Sequence, residues 1–117
     1  MFNLTSDHQF FVYSKACDMR KSFDGLYGLV KNELKRNPCD KGVYLFLNKN
    51  RTQVKLLHWE QGGFVIYYKK LQEGTFTKPL HSEISWTDLV TIVEGIEIKN
   101  NQIVILEKYL AKLGSSS

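Results

Sequence analysis

Arg20 and Lys21 stand side by side just ahead of Ser22, a residue type that starts helices. Two cations beside the free amides of a first helical turn can together grip one phosphate. A more local reading is equally open, in which Arg20 pairs with Asp18 or Asp24 and fixes the loop. Arg51, Lys55, Lys69 and Lys70 form a second basic group. They fall on or beside segments patterned as strands, where alternation puts Lys55 on one face with Gln53, Leu57 and Trp59. Adjacent antiparallel strands would bring Lys55 within reach of Lys69 or Lys70. Lysines set among Trp59, Tyr67 and Tyr68 suit a polyanion with bases, the cations on phosphates and the rings for stacking. The plain alternative is a solvated sheet face whose edge lysines block aggregation. The same three aromatics could also form an apolar patch for a protein partner.

Covalent chemistry finds no comparable arrangement. Metal-dependent strand cutting needs two or three converging carboxylates. The acids Asp18, Asp24, Glu33, Asp40, Glu60 and Glu73 are instead scattered over expected loops, turns and one helix. Cys17 and Cys39 form no CxxC pair, and with His8, His58 and His81 they show no zinc spacing. Nothing supports a Cys17–His58 nucleophile pair. Gly62-Gly63 lies between two strand patterns, so it is no phosphate loop. No zinc-finger or basic-zipper pattern is present. The expectation is a protein without catalytic residues, metal or cofactor.

Charge is unevenly placed. The net charge is +4, yet residues 15–78 carry 13 Lys/Arg against 6 Asp/Glu, while residues 83–117 carry 3 against 5. The basic excess sits where both basic groups lie, and a basic face favours polyanions. The first residues show no basic region followed by an apolar core, and no apolar run is long enough to span a bilayer. A cytoplasmic protein with reduced thiols is expected.

The elements that must position these residues follow from periodicity. Gln9–Ser14 is aromatic and β-branched, which predicts a strand near 9–15. Phe23, Leu26, Tyr27, Val30 and Leu34 make one face of a helix, with Ser22 as its cap and Asn37-Pro38 as its end. Gly25 and Gly28 in that helix permit close packing or close approach of a partner. Val43–Leu47, Gln53–Trp59 and Phe64–Leu71 read as an antiparallel meander, turned at 48–52 and at Glu60–Gly63. Ser85 and Asp88 form a capping box for a second helix with Leu89, Ile92, Val93 and Ile96 on its inner face. Residues 96–106 make either a small hairpin about Asn100-Asn101 or the start of a helix through Glu107–Leu113. The fold class expected is α+β in a single domain, 1–113. It has an antiparallel sheet, the three-stranded meander plus the N-terminal strand, with two helices packed on one face. Residues 114–117 read as a flexible tail.

Two stretches, Cys17–Val30 and Val54–Leu71, closely resemble the TnpB accessory-protein family of insertion sequence sixty-six elements. These are short proteins encoded beside a transposase in bacterial mobile elements, and are distinct from the RNA-guided nucleases of the same name. Cys-Asp-Met-Arg-Lys at 17–21 and Phe-Asp-Gly-Leu at 23–26 match the first signature. Val54-Lys55-Leu56-Leu57 with Trp59, then Gly63-Phe64 and Tyr68-Lys69, match the second, and Gly74 and Phe76 fit the segment that follows. Ser22 stands where many members carry glycine. The resemblance covers Phe10 to Leu80 and more loosely 89–96, a family-like core of 10–96; the tail beyond Ile96 matches nothing. It implies a non-catalytic helper of DNA transposition, with no catalytic residues to carry over. Its partners would be DNA at the element ends, the transposase of the same element, or both, with no membrane and no small-molecule substrate. Arg20, Lys21, Arg51, Lys55, Lys69 and Lys70 are the phosphate contacts expected for the first partner. Trp59, Tyr67 and Tyr68 are the docking surface expected for the second.

Overall fold

A computed structural model describes residues 4–95, with the backbone of residues 98–99 and 102–103. Strands β1 (Gln9–Val12) and β2 (Gly42–Leu47) lie side by side and parallel, with Phe10 opposite Val43 and Val12 opposite Leu45. Parallel neighbours need a crossover, and helix α1 (Phe23–Asn32) supplies it. Strands β3 (Gln53–Glu60) and β4 (Gly63–Lys70) continue outward as an antiparallel hairpin. The short β5 (Glu83–Ile84) returns to pair antiparallel with β1 and leads into helix α2 (Trp86–Glu94). The sheet order is β4-β3-β2-β1-β5.

The expected meander is present, but the sheet is mixed rather than antiparallel, and the helices lie on opposite faces rather than on one. The reason is visible in β2, all six residues of which are buried. Val43, Leu45 and Leu47 face one way, where they meet Val54, Leu56, Leu89, Ile92 and Val93. Tyr44 and Phe46 face the other way, where they meet Leu57, Leu26 and Val30. A strand apolar on both faces needs a cover on each. The run Val43–Leu47 already carried that demand.

Local signals place most element ends. Ser85 Oγ accepts from the Asp88 amide at 3.1 Å and Asp88 Oδ2 accepts from the Ser85 amide at 3.1 Å, the reciprocal capping box. Ser22 precedes α1, but its hydroxyl makes no capping bond. α1 also ends sooner than Asn37-Pro38 implies. Lys35 takes a left-handed conformation (φ 56°), and the Arg36 amide donates back to the Val30 carbonyl at 3.1 Å, which closes the helix. The β3–β4 turn uses Gln61 (φ 31°) and Gly62 (φ 88°), while Gly63 already belongs to β4. Positive φ at both central residues is the hairpin geometry that matches strand twist. Gly42 is required by close approach, since a Cβ there would stand 2.6 Å from Tyr44 Oη.

Of the two readings of residues 96–106, the hairpin is observed: β6 (Ile98–Lys99) pairs antiparallel with β7 (Gln102–Ile103). The expected inner-face residue Ile96, the helix Glu107–Leu113 and the tail 114–117 lie outside the described residues. No helix among the described residues is long and apolar enough to cross a membrane.

Candidate nucleic-acid interface

The loop after β1 is stitched along the end of β2, with the Cys17 amide donating to the Leu47 carbonyl at 2.8 Å. Cys17 is buried beneath it, and burial pushes its thiol up from the usual value. The loop then turns at Asp18, whose carbonyl accepts from the Lys21 amide at 3.0 Å. The Asp18 carboxylate takes the Arg20 backbone amide at 2.9 Å and the guanidinium through Nε at 3.0 Å and Nη2 at 2.7 Å. These bonds to the charged form hold the Asp18 carboxyl down at about 2. The pair fixes the loop, yet the Arg20 side chain stays 91% exposed. Of the two readings of Arg20, the local one describes this loop, with Asp18 as the partner; the rest of the side chain is open to solvent. Lys21 is also exposed, and its ammonium makes no ion pair among the described residues.

Lys55 lies beneath this loop. It is 7% exposed, and its ammonium donates to the carbonyls of Met19 at 2.8 Å and Lys21 at 2.7 Å. The two signature segments of the sequence therefore meet through this one side chain. On its far side Lys55 Nζ lies 4.7 Å from the centre of the Tyr68 ring, as a cation–π contact. Tyr68 stands opposite Lys55 in the β3–β4 ladder, and its hydroxyl donates to Gln53 Oε1.

The remaining expected cations part company. Lys70, opposite Gln53 on the Tyr68 face, is exposed. Lys69 is on the other face, where it donates to the Val93 carbonyl at 2.9 Å and lies 3.5 Å from Glu94, at the negative end of α2. Arg51 holds a left-handed conformation (φ 53°) in the β2–β3 turn. It pins the later chain there, with Nε on the Phe76 carbonyl at 3.1 Å and its own carbonyl taking the Phe76 amide at 2.6 Å. Phe76 is buried in the α2-side core. Lys55, Lys69 and Arg51 thus hold the fold together, while Arg20, Lys21 and Lys70 face solvent.

The three expected docking aromatics are not gathered either. Tyr67 is half-buried against the α2-side core, while burial, with Glu94 nearby, raises its phenol. Trp59 packs edge-on to Phe64, 4.9 Å between ring centres, at the far end of the sheet. Tyr68 alone projects, 50% exposed.

Between the Asp18–Arg20 loop and the β2–β3 turn runs a cleft of about 500 Å³. Arg20, Lys49, Asn50, Gln53 and Tyr68 line it, and Asp18, already paired with Arg20, is its acid. Around the edge of the sheet a second cleft of about 410 Å³ begins at the same Asn48-Lys49 pair and continues past Lys15 to Lys78 and the exposed Leu80. Lys15 there donates to Glu33 at 3.0 Å. Both clefts lie at the carboxyl ends of the parallel strands β1 and β2, where a crossover fold leaves its crevice. Lys49 is the residue that sequence reasoning missed. It sits in a polar turn, and no periodicity distinguishes a turn lysine in a cleft from one in open solvent. Asn48 sets that turn, its Oδ1 taking the Thr52 amide at 2.8 Å and the Gln53 amide at 3.0 Å.

At the opposite end of the sheet a cleft of about 660 Å³ is lined by His8, His58, Cys39 and Glu60. Among the described residues no three His, Cys, Asp or Glu side chains converge as a metal site.

Comparison with known proteins bears on this geometry. The family described as IS66 Orf2 like protein matches residues 8–103, which is most of the chain. The protein belongs to that family, the TnpB proteins of IS66 insertion sequences. The matched span includes both signature segments, the cleft between them and α2. An uncharacterized protein, y4jC, of Sinorhizobium fredii (strain NBRC 101917 / NGR234) is 26% identical over 68 residues. That alignment covers 58% of this chain and 58% of y4jC. No solved structure is significantly similar to the chain.

Proposed function

We propose that this IS66-family protein assists transposition by binding DNA along the basic groove that starts at Arg20 and passes Lys49. The observation that carries this reading is the sorting of the cations. Lys55, Lys69 and Arg51 are spent on backbone carbonyls, whereas Arg20, Lys21, Lys49 and Lys70 are exposed, and Arg20 and Lys49 line one cleft. The cations that line the groove suit phosphate contact. The family supplies the context, a short protein acting beside a transposase. Element ends are the DNA this context favours.

Binding of purified protein to labelled element-end and scrambled duplexes across a salt series tests the reading. Four phosphate contacts predict a log–log slope of roughly −3 to −4. Arg20→Ala with Lys49→Ala should reduce that slope by about two. Binding that ignores salt, or is unchanged in the double variant, would overturn it. Capture of the transposase that persists after nuclease treatment, with no DNA affinity, would instead establish an adapter.

A further inference from the structure

We infer that the cleft beside Tyr68 takes an unpaired nucleotide, its base stacked on the Tyr68 ring and its phosphates held by Arg20 and Lys49. The inference rests on the DNA-binding reading and adds to it a preference for single-stranded or frayed DNA.

Three features of Tyr68 set it apart from an ordinary surface aromatic. First, the ring is held in place: its hydroxyl is tied to Gln53, and its face meets the Lys55 ammonium. Lys55 is itself bonded to two carbonyls of the signature loop, so one side chain ties ring and loop together. A ring immobilised beforehand loses little entropy on stacking. Second, half of Tyr68 remains open to solvent, and it borders a shallow, open cleft. Third, cations line the same cleft, Arg20 from the loop and Lys49 from the β2–β3 turn, with Lys70 two residues along the same strand face.

An aromatic platform ringed by cations is the arrangement that binds single strands, because every base has a π-face. In an intact duplex those faces are covered by neighbouring base pairs, so only an unpaired base can use Tyr68. Gln53 and Asn50 at the cleft wall add polar groups within reach of a base edge without demanding one sequence.

The test compares a short single strand, the same strand with abasic sites, and its duplex, by fluorescence anisotropy at one salt concentration. Wild type should bind the single strand more tightly than the duplex and lose affinity for the abasic strand, whose charge is the same. Tyr68→Leu should weaken single-strand binding by about 5- to 100-fold while duplex binding stays within about twofold; Tyr68→Phe should keep most of the single-strand affinity. Equal affinity for intact and abasic strands overturns the stacking inference and leaves the DNA reading standing. No binding of strand or duplex overturns both. The abasic comparison uses wild-type protein, so it decides even where a Tyr68 variant fails to fold.

Discussion

The ammonium of Lys55 donates to the Met19 carbonyl at 2.8 Å across 36 positions of sequence. Its second bond, to Lys21, completes the anchorage of the loop that carries Arg20. A buried cation with two carbonyl acceptors is a structural fastening, and its removal would leave both carbonyls without their donor. Lys55→Met keeps most of the stem and deletes the charge. Its urea midpoint should fall by the equivalent of about 2 kcal/mol with an unchanged slope. Amide exchange over 18–21 should speed up before the rest of the protein is affected. A midpoint like that of wild type would show that the loop is held by other contacts.

The two helix starts make opposite predictions from the same residue type. Ser85→Ala removes a working capping box and should cost about 1 kcal/mol in thermal or urea unfolding. Ser22→Ala removes a hydroxyl that caps nothing and should be close to neutral. Equal losses at the two positions would contradict the described geometry of α1.

His58 gives stability a pH dependence. It is 4% exposed, its Nδ1 lies 3.3 Å from the Gly42 carbonyl, and the His8 ring is 4.7 Å away. Burial is the main cause that lowers its pKa below the ordinary 6.5, with His8 adding to it against the Gly42 carbonyl. The unfolded chain therefore takes up the proton first. The contribution of His58 is present above pH 6.5 and is lost as pH falls through the lowered folded value. Urea midpoints at about pH 7.5 and about pH 5.5 should differ in that direction, and His58→Gln should flatten the difference. A midpoint that rises on acidification would refute the assignment.

Lys69 separates fold from function among the lysines of β4. It caps the carbonyl end of α2, so Lys69→Ala should lower stability by about 1 kcal/mol. The salt slope of DNA binding should stay as in wild type, since the side chain lies on the opposite face from the groove. Lys70→Ala should do the reverse, leaving stability nearly intact and reducing the slope by about one. Matching effects from the two lysines would remove the distinction between fastening and contact.

Much of the scaffold was legible because the responsible forces are local. The Ser85–Asp88 box, the three-strand meander and the helix after Ser22 each follow from residues a few positions apart, whereas the sequence left hairpin and helix open over residues 96–106. Alternation also placed Lys55 correctly on the Gln53, Leu57 and Trp59 face. Less legible was the strand β5, two residues long and recognisable only through its partner β1. The parallel pairing of β1 with β2 was missed because a crossover helix and a helix closing an antiparallel sheet share the same periodicity.

Propensity, capping and charge act at short range, so most of the elements, the basic excess over 15–78 and both signature segments can be read along the chain. Which cations remain free depends instead on packing between distant segments. A lysine stem is long enough to reach either solvent or a neighbouring carbonyl, and alternation names its face without saying what covers that face. Here the loop of residues 17–21 covers Lys55, and the end of α2 lies over Lys69. Lys49 and Tyr68 are left at the rim of one cleft, because the turn before β3 and the edge strand β4 come together there.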